Sequence, residues 1–120
     1  MTRRQIFVFG SNMAGRHGKG SALAALRYHG AKRGCFSGPQ GNSYAIPTKD
    51  RNLFVLPVDI IGRFVNTFLR YAADNPDCDF NVVAIGCGKA GYKPEQIAPL
   101  FAGHPSNVLL PPEFVAILHP

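Results

Sequence analysis

The chain is patterned in short apolar runs whose period changes from one to the next. Ile6-Phe7-Val8-Phe9 is unbroken and stops at Gly10, which predicts a strand buried on both faces. Gly10–Gly20 is then a loop. Ser21 is a candidate N-cap for a helix over Ala22–His29, and Gly30 stops that helix. Residues 30–43 hold four glycines, one proline and two serines, and predict a long irregular loop. A short strand follows over Tyr44–Pro47. Between Asp59 and Ala73 the apolar residues Ile60, Ile61, Phe64, Val65, Phe68, Leu69 and Ala72 recur at helical spacing, with Asp59 as candidate N-cap and Asn75-Pro76 as terminator. Phe80–Ile85 is a second buried strand, and Gly86–Tyr92 a second glycine-rich loop. Pro94–Phe101 predicts a helix with proline in its first turn and Glu95 at its positive end. Val108–Leu110 is a last strand before Pro111-Pro112.

Strands alternating with helices predict an α/β layered domain with a mixed, mostly parallel sheet. With 120 residues, 46% of them hydrophobic, the chain makes one domain, residues 1–120, with a real core. No run approaches the ~20 apolar residues of a membrane span. The charged start Met-Thr-Arg-Arg-Gln is followed by too few apolar residues for a signal-peptide core. A cytoplasmic protein with no membrane partner is therefore expected. Cys35, Cys78 and Cys87 are odd in number and widely spaced, which suits reduced thiols. His17, His29, His104 and His119 fall into no ligand spacing, so neither a metal nor a cofactor is expected. The net charge of +6 points towards anionic partners such as nucleotides, phosphates or nucleic acid.

Both glycine-rich loops leave the ends of buried strands and lead into helices. Ligands of open α/β sheets sit outside the carboxyl ends of the strands. There a helix start offers unpaired N–H groups, and glycine lets the backbone come close to a phosphate. Two such loops side by side could cradle a diphosphate. Familiar fingerprints are absent: Gly18-Lys19-Gly20-Ser21 has glycine where a P-loop has Ser or Thr, and Gly86-Cys87-Gly88 meets its next glycine, Gly91, one position early for a dinucleotide fold.

Ile85-Gly86-Cys87-Gly88 followed by Gly91-Tyr92 resembles the second binding loop of macrodomains. Val8-Phe9-Gly10-Ser11-Asn12 with Gly18-Lys19-Gly20-Ser21-Ala22-Leu23-Ala24 resembles their first loop and the helix after it. Tyr44-Ala45-Ile46-Pro47-Thr48-Lys49 is similar to a strand of the branch that removes terminal ADP-ribose from acidic side chains. The likeness spans most of residues 6–102. It implies a compact three-layer fold and a site for ADP-ribose or an ADP-ribosylated macromolecule. In that site Gly10, Ser11 and Asn12 lie by the ligand, with Asn12 on the distal ribose. Gly18, Lys19, Gly20 and Ser21 lie against ribose and diphosphate, and Gly86, Cys87, Gly88, Lys89, Ala90, Gly91 and Tyr92 wrap the diphosphate.

If the chain is an enzyme, the resemblance implies an ADP-ribosyl hydrolase in which Lys49 attacks the ribose. Ala90 stands where that branch has an assisting acid, and no Asp or Glu lies between Asp79 and Glu95. A lysine nucleophile must be neutral, yet an ordinary pKa near ~10.4 leaves about one molecule in two thousand ready at pH 7. Desolvation and neighbouring cations such as Arg51 would raise that fraction. Asp50 and Asp59 are possible substitute acids. Cys87 reads as a packed small residue, Tyr92 and Phe114 as core or base-stacking residues, and His17 as a loop residue, solvated or on a phosphate. The rival reading is a basic nucleic-acid-binding module meeting backbone phosphates through Arg16, Lys19, Lys32 and Arg33.

Overall fold

In the computed structural model, which describes residues 2–120, a five-stranded sheet carries four helices. The strands are β1 (Arg4–Asn12), β2 (Gly38–Gln40), β3 (Ser43–Lys49), β4 (Cys78–Val82) and β5 (Val108–Leu109). The helices are α1 (Gly20–Tyr28), α2 (Val58–Ala73), α3 (Pro94–Ile97) and α4 (Pro112–Leu118). The strand order is β2-β3-β1-β4-β5. Only the β2–β3 pair is antiparallel; the rest are parallel, so the carboxyl ends of β1, β3 and β4 open on one edge. No helix among the described residues is long and apolar enough to cross a membrane.

Strand alternation splits the apolar residues between two faces. Ile6 and Val8 of β1, Tyr44 and Ile46 of β3, and Phe80 and Val82 of β4 join the larger core. Ile61, Val65, Phe68 and Ala72 of α2 bury one helix stripe against it, and Ile97, Phe101 and Phe114 complete it. Phe9 and Ala45 point the other way and meet Ala22 and Ala25 of α1. Helices thus cover both faces. Small alanines let α1 sit close over β1, while aromatic rings fill the wider space under α2. Phe68 lies 5.5 Å from Phe80 and 6.5 Å from Phe101, both edge-on.

Several boundaries differ from expectation. β1 runs from Arg4 through Gly10 to Asn12, because its polar ends still find backbone partners: Arg4 opposite Cys78, Asn12 opposite Lys49. Gly10 is therefore inside the strand, opposite Ile46. The irregular loop over 30–43 contains β2, whose Pro39 is tolerated because β2 is an edge strand. Ser21 and Asp59 are not N-caps. α1 starts at Gly20 after Lys19, and α2 at Val58 after Pro57, neither with a side-chain cap; Asp59 sits in the first turn. β4 ends at Val82 because the Ile85 N–H folds back on the Val83 carbonyl at 2.7 Å. The helix expected over 94–101 is α3 followed by a tighter 3-10 turn at Ala98–Phe101, since Pro99 has no N–H to continue the helical ladder. Pro111-Pro112 ends β5 but also begins α4, with proline suited to a first helical turn.

Candidate functional site

The carboxyl ends of β1, β3 and β4 surround a cleft of about 620 Å³. Its walls include Gly10, Ser11, Asn12, Gly18, Lys19, Gly20 and Ser21 from the first loop region, Lys49 from the end of β3, and Gly86, Gly88, Lys89 and Ala90 from the second loop. The size falls within the range of small-molecule sites, roughly 300–1,000 Å³. Cys87, Gly91 and Tyr92 do not line it. Tyr92 is tied elsewhere, its hydroxyl donating to the Leu56 carbonyl at 2.6 Å.

The first loop is shaped by Asn12. Its side-chain amide donates to the Arg16 carbonyl at 2.8 Å, and its carbonyl accepts from the Arg16 N–H at 3.1 Å. Both ends of this amide are thus spent on the loop, leaving one N–H and one lone pair for anything else. Gly15 sits at φ +70 against Gly34; a Cβ there would lie 2.5 Å from the Gly34 Cα. Ser11 is buried, its hydroxyl on the Phe36 carbonyl. His17 neither reaches the cleft nor meets solvent. It is buried edge-on to Phe9, ring centroids 5.4 Å apart, and neither ring nitrogen has a partner.

The backbone donors carry the chemistry. In the first loop and the start of α1, the N–H groups of Gly18, Lys19, Gly20, Ser21 and Ala22 have no acceptor among the described residues. In the second loop the same holds for Gly86, Gly88, Lys89 and Ala90. Aligned helical peptides add a partial positive charge at the α1 start, where no acidic residue offsets it. Gly18 and Gly88 lack any internal reason to be glycine: an added Cβ meets nothing within 4 Å, and neither has a positive φ. Gly86 differs, at φ +72 with Ile97 3.3 Å from its would-be Cβ.

Four cations, Arg16, Lys19, Lys49 and Lys89, line the cleft, and no carboxylate does. The one ion pair among the described residues, Arg3 with Asp79, lies at the far end of the sheet. Lys49 is half-buried where β1 and β3 lose register, its carbonyl accepting from Met13 N–H at 2.9 Å. Neither substitute acid serves it. Asp50 is committed to its own turn, Oδ1 accepting from the N–H groups of Asn52 and Phe54, and Asp59 lies outside the cleft on α2. Cys87 lies off the cleft wall, and burial, then the negative charges of Glu113 and Glu95, push its pKa up and disfavour the thiolate. Phe114 is fully buried core. Lys32 and Arg33 are exposed on the turn after α1, away from the cleft. No group of three or more His, Cys, Asp or Glu side chains among the described residues could hold a metal ion.

Thr48, Leu53, Val83 and Ala84 also line the cleft and belong to neither glycine motif, and Ile85, which opens the second motif, lines it as well. The expected strand over Phe80–Ile85 was the only sequence signal for Val83 and Ala84; Leu53 had none. No protein family, no curated protein and no solved structure matches this chain.

Proposed function

We propose that the cleft binds ADP-ribose or a related nucleotide diphosphate on a macrodomain-like fold. One observation carries the reading: residues with unpaired backbone N–H groups from two loops, and four cations without an ion-pair partner among the described residues, line one cleft that has no carboxylate. Such a lining repels cations and gives neutral sugars little, whereas a diphosphate satisfies several donors at once. The diphosphate bridges the start of α1 and residues 86–90, with Gly18 and Gly88 admitting it closely. Lys49 then faces the sugar beyond it, and Asn12 shapes the loop that holds the diphosphate.

Binding outweighs catalysis in this reading. Lys49 is the nucleophile that the resemblance implies, and the lining offers no carboxylate as general acid or base. General acid–base assistance is typically worth ~10²–10⁴ in rate. Release of ADP-ribose from a glutamate-modified protein should be slow or absent. Lys49→Ala should abolish what remains while changing ADP-ribose affinity no more than a few-fold, and Ala90→Asp should raise the rate.

Calorimetry with ADP-ribose, across a range of salt concentrations, tests the binding. Affinity with shallow salt dependence supports a ligand held by backbone donors. No binding of ADP-ribose, together with steeply salt-dependent binding of duplex DNA, would favour a nucleic-acid module instead.

A further inference from the structure

The turn after β3 is a fixed object beside the cleft. Asp50 Oδ1 accepts from the Asn52 N–H at 2.8 Å and the Phe54 N–H at 3.0 Å. The Asp50 N–H donates to the Phe54 carbonyl at 2.7 Å, and the Leu53 N–H to the Asp50 carbonyl at 3.0 Å. A bridge between Lys49 and Val55 closes the base. Held this way, Leu53 takes φ +68, the only positive φ of a non-glycine residue among those described.

What this rigid turn displays is apolar. Leu53, Phe54 and Val55 are 42%, 70% and 41% exposed, and the other exposed large apolar residues, Tyr28, Leu109 and Val115, are isolated in sequence. Phe54 is the most exposed of the three, and the fold gains little burial from it. Leu53 forms part of the cleft wall; Phe54 does not, and lies outside it. An apolar ledge therefore leads from the cleft outward. A ligand covering both has anionic groups among the cations and a flat apolar group beyond the rim, so it extends past what the cleft encloses. Arg51 is exposed on the same turn, and the turn's one carboxylate is already bonded internally. An apolar peptide would cover the ledge but bring no negative charge to this basic chain. Single-stranded nucleic acid brings both, a phosphate with every base; a duplex hides its base faces.

We propose that Leu53 and Phe54 form a docking ledge for an unpaired base of a single-stranded nucleic acid whose phosphate lies towards the cleft. The proposal rests on the reading of the cleft as a nucleotide-phosphate site. The probe is a fluorescent oligothymidylate of about ten nucleotides, compared by anisotropy with the same strand in a duplex, with ADP-ribose titrated separately. The single strand should bind at least about fivefold more tightly than the duplex, and Phe54→Ala should remove about fivefold or more of that affinity. Phe54→Trp should restore it, with ADP-ribose affinity within about twofold of wild type in both variants, since Phe54 is outside the cleft. Equal binding of strand and duplex, untouched by Phe54→Ala, would overturn the ledge and leave only diffuse electrostatics. So would a Phe54→Ala variant that changes self-association in sedimentation or apolar-peptide binding while oligonucleotide affinity stays the same. Loss of ADP-ribose binding alone would reject the cleft reading, whereas preserved ADP-ribose binding with no strand preference would reject the ledge.

Discussion

The two ends of the sheet treat polar groups in opposite ways. At the amino end, Arg3 meets Asp79 at 2.6 Å and donates to the carbonyls of Pro76 and Cys78. Gln5 donates to the other oxygen of Asp79 and accepts from Asn81, and buried Asn107 donates to the carbonyls of Ala72 and Asn75. A depression of about 450 Å³ lies there too, yet Arg3, Asp79 and Asn107 on its wall are already bonded to the protein. At the carboxyl end the donors are left open and the cations unpaired. Concavity alone does not mark a site; unspent hydrogen-bonding capacity does. Mutations should separate the ends, those at one altering stability and those at the other altering affinity.

The largest effect is expected at the amino end. Asn107→Ala removes one donor from each of the Ala72 and Asn75 carbonyls, which keep the N–H groups of Asn75 and Cys78, and urea unfolding should show a loss of about 2 kcal/mol with ADP-ribose affinity unchanged. A matching loss of affinity would break the comparison. Gly88→Val is the converse. Its side chain meets only open space, so the unfolding midpoint should hold while ADP-ribose affinity falls about tenfold, or ~1.4 kcal/mol. Asn12→Ala sharpens the picture: because its amide is committed to Arg16, ADP and ADP-ribose should lose equally, by about 0.5–1.5 kcal/mol in calorimetry. A loss confined to ADP-ribose would instead put Asn12 on the distal ribose.

The smallest effect concerns Asp79. Hydrogen bonds from Gln5 and then Arg3 hold its carboxyl below the ordinary 3.8. Because the folded value is the lower one, its contribution is present above about pH 4 and lost as pH falls through the folded value. Acid unfolding of Asp79→Asn should lack this part of the slope, by a small margin because the group is exposed to solvent.

Much of this was legible from the chain. The Ile6–Phe9 and Phe80–Ile85 runs marked the strands at the centre of the sheet, and the Asp59–Ala73 period marked α2, because deep burial demands continuous or periodic apolar residues. Twelve site residues named from the motifs do line the cleft, since glycine-rich strand ends are written in consecutive positions. β2 and α4 were hidden because short elements take their stability from neighbours. Asn12's commitment to Arg16, the burial of His17 and the Asp50 turn depend on where side chains end up, and no spacing encodes that. Leu53 was invisible for the same reason: its place on the wall follows from a left-handed backbone that leucine does not advertise.

The position of β1 has a consequence for synthesis. The central strand is translated before either parallel neighbour, and it pairs with β3 and then with β4, far along the chain. Non-local parallel pairing of this kind forms slowly, because loop closure comes before the contacts that reward it. On the ribosome, Ile6–Phe9 stays a half-paired apolar ribbon until Val82 has emerged, and meanwhile invites adhesion to other chains. The cleft needs residues from Gly10 to Ala90, so ligand cannot assist the early stages of folding. It can trap only a nearly finished domain.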